Sequence, residues 1–161
     1  MKILFISMPS IHAIRWIKNL NASGHDLYWF DVLGKGELNI KLHLHQFTNW
    51  KKRKIPYIIG EHFLQKKVPC FYHFIQPFLE VTASEKLEQI IKELKPDLVH
   101  SFEMQSCSYP ILKTMKKFPA LKWLYSCWGS DLFYYQNQPN HRAKIKEILN
   151  RIDYLHTDCE R

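Results

Sequence analysis

The residues of this sequence that could do chemistry fall at the ends of three apolar runs. Ser10, His12 and Arg15 follow Lys2–Ser7, Glu103 follows Asp97–Phe102, and Trp128-Gly129-Ser130-Asp131 follows Leu121–Cys127. If the runs are parallel strands, these groups sit beyond strand carboxyl ends, where open α/β sheets bind ligands. A helix starting at Ser10 would offer an anion its free N–H groups, and Arg15, one turn further on, would reinforce that attraction. His12 can donate to a sugar hydroxyl or a phosphate. Glu103 is placed to face the cleft. Gly129 permits a tight turn, and Asp131 can either cap the next segment or touch a ligand. Trp128 suits a cleft wall. Plainer roles stand beside each of these: a histidine and an arginine facing water, a surface carboxylate, a capping aspartate. The first loop lacks Gly-x-Gly-x-x-Gly, which argues against a simple NAD-binding domain. No Ser/His/Asp order or Cys/His pair can be placed. Cys70, Cys107, Cys127 and Cys159 include no Cys-x-x-Cys pair, so neither a zinc site nor a disulfide framework is expected. His43 and His45 would share one face of a strand, but no further ligand cluster joins them. No metal and no cofactor are expected.

The elements that must position these groups alternate along the chain. Lys2–Ser7 reads as a buried strand. Ser10 is the N-cap of a helix running to about Ser23, with Ala13, Ile14, Ile17 and Leu20 on its apolar face and Gly24 as its stop. Leu27–Val32 is a second strand, so the chain opens as a parallel α/β sheet. Leu38, Ile40, Leu42 and Leu44 alternate with polar residues and predict a half-buried strand. From Phe47 to Leu79 no period holds, and Pro56, Gly60, Pro69 and Pro77 punctuate short helices and loops. Thr82 and Glu85 match a capping box for a helix that ends before Pro96. A strand at Asp97–Phe102, a helix at Ser108–Lys117 with Pro110 in its first turn, and a strand at Leu121–Cys127 come next. A helix from about Asn140 to Asn150 and a strand at Asp153–Thr157 close the chain. Asp97 and Asp153 open strands and are read as structural. The fold class is α/β: a mostly parallel, Rossmann-like sheet with helices on both faces.

The chain has 161 residues, 46% of them apolar, enough for one such domain with a core. Its formal net charge of +8 favours an anionic partner. Ser7-Met8-Pro9-Ser10 breaks the N-terminal apolar run before an export signal could form. No apolar stretch is long enough to span a bilayer. The expected location is therefore the cytoplasm, at the inner face of the membrane where the insert of about residues 35–80 makes contact. In that insert Trp50, Lys51, Lys52, Arg53 and Lys54 form a basic, aromatic patch, with Lys66, Lys67 and further aromatics behind it. Such a patch suits a membrane surface or a lipid-linked acceptor. The rival reading packs the aromatics onto the sheet.

Four segments resemble family-4 glycosyltransferases. Ile11-His12-Ala13-Ile14-Arg15-Trp16, with Leu20 and Gly24-His25, is similar to their "H-x-x-R-W … L … G-H" opening. Pro96-Asp97-Leu98-Val99-His100 resembles the "P-D-[LIV]-V-H" strand. Trp128-Gly129-Ser130-Asp131 resembles the "[HW]-G-S-D" turn, and Arg151-Ile152-Asp153-Tyr154 the strand that closes their N-terminal domain. The matches come in the family's order and span the chain. They imply one half of a GT-B architecture, with residues 1–161 as the N-terminal, acceptor-side domain. A C-terminal domain carrying an E-x7-E motif would bind the nucleotide-sugar donor. The resemblance implies a retaining hexosyltransferase without a metal, acting on a polysaccharide or lipid-linked acceptor of the cell envelope. His12 and Asp131 match the motifs and are its candidate catalytic residues. Ser10, Arg15, Glu103, Trp128, Gly129 and Ser130 are candidates for binding substrate. Two positions depart from many relatives: Met8-Pro9-Ser10 replaces a Gly-rich first loop, and Trp128 stands where His is common. An indole is neither acid nor base.

On this reading the chain needs the other half of its cleft and is inactive alone. Two other classes stay open. One is a basic nucleic-acid-binding module built on Lys51–Lys54, for which no recognition motif is visible; nucleic acid is not the expected partner. The other is a flavodoxin- or receiver-like module, which would need a phosphate loop or an acidic cluster after its first strand.

Overall fold

The computed structural model describes residues 1–157. Its strands are β1 (Lys2–Ser7), β2 (Asp26–Asp31), β3 (His45–Phe47), β4 (Leu98–Phe102), β5 (Lys122–Ser126) and β6 (Tyr154–His156). All pair in parallel, in the order β3-β2-β1-β4-β5-β6. That order is the doubly wound one, whose crossover helices must cover both faces of the sheet. The helices are α1 (Ile11–Asn19), α2 (Glu61–Lys67), α3 (Pro69–Leu79), α4 (Ala83–Leu94), α5 (Tyr109–Lys117), α6 (Ser130–Phe133) and α7 (Pro139–Leu149). A π-helical turn at Met104–Ser108 precedes α5, and a 3-10 turn at Tyr135–Asn137 follows α6.

Alternation of side chains along the strands divides the core between two layers. Leu4 and Ile6 of β1 meet Leu87, Ile90, Ile111 and Ile148 on the face covered by α4, α5 and α7. Ile3 and Phe5 turn the other way and meet Ala13 and Ile17 of α1. β1 is central, and Leu4, Phe5 and Ile6 are wholly buried. Aspartates pin the amino edge: Asp97 accepts the amide of Lys2 at 2.7 Å, and Asp153 accepts that of Trp123 at 2.9 Å. The Thr82–Glu85 capping box is formed in both directions.

The expected strand at 38–44 does not form, and β3 is only His45–Phe47. Leu38, Ile40, Leu42 and Leu44 are still half buried and their neighbours exposed, so the alternation is one of burial without a hydrogen-bonded ladder. Gln46 clamps the segment instead, taking the Leu38 amide at 2.9 Å and giving its side-chain N–H to the Leu38 carbonyl at 3.1 Å. Helix α1 stops at Asn19, short of Ser23, because Leu20 to Gly24 turn tightly to enter β2. The 47–79 segment contains two short helices. Its Trp50 ring packs on Phe30 of β2 at 5.5 Å.

Candidate functional site

Three loops meet at the carboxyl edge of the sheet. The first begins after β1, where the Ser10 hydroxyl accepts the His12 amide at 3.2 Å and so starts α1. With that cap satisfied, the helix presents His12 and Arg15 to solvent, one turn apart, while Ala13 and Ile17 face the sheet. Trp16 lies between those faces and is half buried.

The third loop lies opposite. Trp128 follows β5 and sets its ring 5.6 Å from the His12 ring. Between α1 and the ends of β4, β5 and β6 is a hollow of about 230 Å³, walled by Trp16, Phe102 and Trp128. Its polar groups are His12, Arg15, Asn19, Ser126 and His156. The floor is a hydrogen-bonded chain across three strands. His100 Nε2 lies 2.7 Å from Ser126 Oγ, which is 3.2 Å from His156 Nδ1. Trp16 packs edge-on to both rings, at 4.9 Å from His100 and 5.4 Å from His156. Burial, and secondly the neighbouring His156, hold the His100 pKa down at about 3, so His100 is a neutral link of the chain near neutral pH.

Asp131 organises the second and third loops. One carboxylate oxygen accepts the Met104 amide at 3.1 Å and the Tyr125 hydroxyl at 2.6 Å. The other accepts the Trp128 amide at 3.0 Å and the Cys127 thiol at 3.2 Å. Gln105 donates to its carbonyl at 2.7 Å. Burial, and then the adjacent carboxylate, push the Tyr125 phenol above its usual range; burial also raises the Cys127 thiol. Asp131 is itself buried, so its four donors leave it no open face toward the hollow. Through these donors Asp131 ties Trp128 to the π-helical turn.

Glu103 also turns inward. It caps the π-helical turn by accepting the amides of Gln105 at 3.0 Å and Ser106 at 2.5 Å. Its φ is 63°, a value that strains any side-chain-bearing residue. Gly129, at φ 88°, makes the turn that aims Trp128 outward. Ser130 starts α6 and is exposed.

The structure thus brings His12, Arg15 and Trp128 to one hollow; Ser10 and Gly129 shape the loops that carry them, and the Glu103 and Asp131 carboxylates are taken up by loop donors. Sequence reasoning missed His156 and gave His100 and Ser126 no site role. The available signal was a polar residue closing each of two neighbouring strands, Ser126 in β5 and His156 in β6, with His100 in the middle of β4. Of the expected surface patch, Trp50 is buried and donates to the Asp31 carbonyl at 2.6 Å. Arg53 is paired with Glu61 and the exposed Lys54 with Glu85, so among the described residues Lys51 and Lys52 are the exposed members of the patch without a carboxylate partner. Among the described residues, no three His, Cys, Asp or Glu side chains are grouped to hold a metal. His43 and His45 lie side by side on the exposed face, with His45 stacked on Tyr28 at 5.0 Å.

A parallel doubly wound sheet with its polar groups gathered at the carboxyl edge defines an α/β domain of the Rossmann-like class, consistent with half of a GT-B fold. Residues 2–158 match the family described as Glycosyl transferase 4-like, and the chain belongs to that family. It is a glycosyltransferase domain. A search of curated proteins found no match.

Proposed function

We propose that this domain forms the acceptor side of a retaining hexosyltransferase that needs no metal, with a second domain supplying the nucleotide-sugar. The observation that carries the reading is the hollow between Trp16 and Trp128. Indole walls offer apolar faces to the C–H surface of a pyranose, and donors and acceptors at the rim suit its hydroxyls. His12 and Arg15 stand at the mouth, placed to meet the hydroxyl that attacks or the phosphate that leaves. His156 presents a polar group from the floor, and Ser126 with His100 fixes its ring. Glu103 and Asp131 act behind this surface by holding the loops that carry Trp128 and Met104. The acceptor in this reading is a polysaccharide or a lipid-linked glycan of the cell envelope, handled on the cytoplasmic side.

Two titrations test it. Oligosaccharides should shift the tryptophan fluorescence of the domain, and Trp128→Phe should remove most of the shift. UDP- and GDP-sugars should bind this domain weakly in calorimetry, because catalysis needs both cleft faces to hold the reactants at near-attack distance. Micromolar binding of a nucleotide-sugar by the domain alone would assign it the donor side instead. Absence of any saccharide response would remove the acceptor reading.

A further inference from the structure

The apolar residues between 55 and 79 lie largely on the outside of the molecule. Helix α3 has two faces. Tyr72 and Leu79 are buried and Ile75 is half buried, which defines the side turned to the protein. Phe71, Phe74 and Phe78, at i, i+3 and i+7, form the opposite stripe and are 50%, 73% and 70% exposed. On α2, which packs against α3, Phe63 is 62% exposed, and Ile59 just before that helix is fully exposed. Single exposed apolar side chains are ordinary, but a stripe of three phenylalanines with two neighbours marks a surface that meets something.

Charge indicates what it meets. The acids of this region, Glu61 and Glu80, both face Arg53 at ion-pair distance, the first through two hydrogen bonds. The acid in the adjoining helix nearest the hairpin, Glu85, is held by Lys54 at 2.6 Å. Lys51, Lys52, Lys66 and Lys67 are all exposed, and none has a carboxylate partner among the described residues. Lys66 and Lys67 follow Phe63 at i+3 and i+4, so they share its side of α2. The outer surface of the hairpin is therefore aromatic and uniformly basic. Protein interfaces favour aromatics but are depleted in lysine. Aromatic rings at headgroup depth with lysines beside them are the composition of an interfacial helix on anionic lipid.

We propose that the α2–α3 hairpin seats this domain on an anionic lipid bilayer, with Phe71, Phe74 and Phe78 in the headgroup–acyl boundary and Lys66 and Lys67 on lipid phosphates. Neither set holds the protein alone; together they give reversible docking. The same helix reaches the carboxyl edge. Gln76 and Pro77 line a second hollow of about 290 Å³ at the end of β2, with Ser106 of the π-helical turn across from them. A bilayer under Phe74 and Phe78 would thus carry lipid-linked saccharides to the functional edge, and this last link rests on the acceptor reading given above.

The test is co-sedimentation of the protein with phosphatidylcholine vesicles, with and without phosphatidylglycerol, at low and high salt. Binding should be about tenfold or more tighter on the anionic vesicles and should weaken with salt. Lys66→Glu with Lys67→Glu should reduce it. Phe71→Ser, Phe74→Ser and Phe78→Ser together should abolish it without lowering the melting temperature, because these side chains are already in water. No binding to anionic vesicles at low salt, or binding untouched by either variant, overturns the proposal. So does a lipid-free dimer that the phenylalanine variant converts to monomer, which would identify the occupant as a second copy of the chain. Vesicle binding uses no sugar. Its failure leaves the saccharide titration standing, and loss of the saccharide response leaves vesicle docking standing.

Discussion

His12 and Asp131 carry the same expectation from sequence and opposite environments in the fold. His12 is exposed, and its ring touches Trp128 alone among the described aromatic residues. His12→Ala should therefore change stability by no more than about 0.5 kcal/mol, as surface substitutions usually do. Joined to a donor-binding domain as proposed above, it should still lower turnover at least about tenfold, equal to about 1.4 kcal/mol of barrier, if the imidazole serves the acceptor. Asp131→Ala should act in the other order. It strips four donors of their acceptor, among them the buried Tyr125 hydroxyl and the Met104 amide. Unsatisfied buried groups cost roughly 1–3 kcal/mol each, so the two wholly buried donors alone set an expected loss of roughly 2–6 kcal/mol in urea titrations, and turnover falls because Trp128 loses its place. A stable Asp131→Ala protein with normal loop structure and no activity would return this aspartate to the reacting centre. Glu103 shows why side-chain type was a poor guide here. A carboxylate after an apolar strand looks like a cleft acid, yet two amides within three residues claim it first.

The elements at both ends of the chain were legible because each depends on local signals. β1, α1, β2, α4, β4, α5, β5 and α7 follow apolar period, a cap or a proline, and the capping residues Ser10 and Thr82 act as read. The failures share a cause as well. The 38–44 alternation is real in burial, but the ladder partner is a matter of tertiary placement, and the Gln46 side chain replaces it. In the hairpin, Tyr72 and Leu79 face inward while Phe71, Phe74 and Phe78 face outward, a distinction that composition does not carry. The floor of the hollow was illegible because His100, Ser126 and His156 are distant in sequence and meet only through strand order. Two elements can be tested by what fastens them. Arg151 ties the turn after α7 to the α5–β5 connection, donating to the carbonyls of Met115 at 2.9 Å, Phe118 at 2.8 Å and Leu121 at 2.9 Å. A lysine has no planar fork to serve three acceptors. Arg151→Lys should cost about 2 kcal/mol by urea titration, and an unchanged midpoint would show the fork is dispensable. The hairpin hangs on Glu61, whose pKa is lowered to about 2, first by its hydrogen bond from Arg53. Arg53→Ala leaves that buried carboxylate with Tyr72 and the Ile58 amide. Proteolysis between residues 55 and 68 should then accelerate severalfold while the sheet amides keep their exchange protection. Equal cleavage rates would mean that the hairpin is held from elsewhere.

At the scale of the whole molecule, the hydrogen-bonded chain under the hollow couples stability to pH. His100 belongs to β4, Ser126 to β5 and His156 to β6, so two successive hydrogen bonds join three of the six strands. In the folded protein the His100 pKa is about 3, against an ordinary 6.5. The unfolded chain therefore binds a proton at His100 between those two values while the folded protein does not. Protonation of the unfolded state draws the equilibrium toward it, and stability falls as pH drops through about 6.5 and continues to fall until about pH 3. Between pH 7 and pH 5 the loss from this one residue is about 2 kcal/mol, from the ordinary histidine pKa and 1.36 kcal/mol per pKa unit. The depressed carboxylates do not produce this loss. Glu61 and Glu88, both lowered to about 2, matter only as pH falls below their ordinary value near 4.5. His156 lies beside His100, and two variants separate the contributions of the two residues. His100→Gln keeps a polar partner for Ser126 and removes the proton site. Its melting temperature should be nearly level between pH 7 and pH 5, while the wild type and His156→Gln both lose ground. A wild-type slope that survives His100→Gln would show that acid sensitivity arises outside this chain of hydrogen bonds.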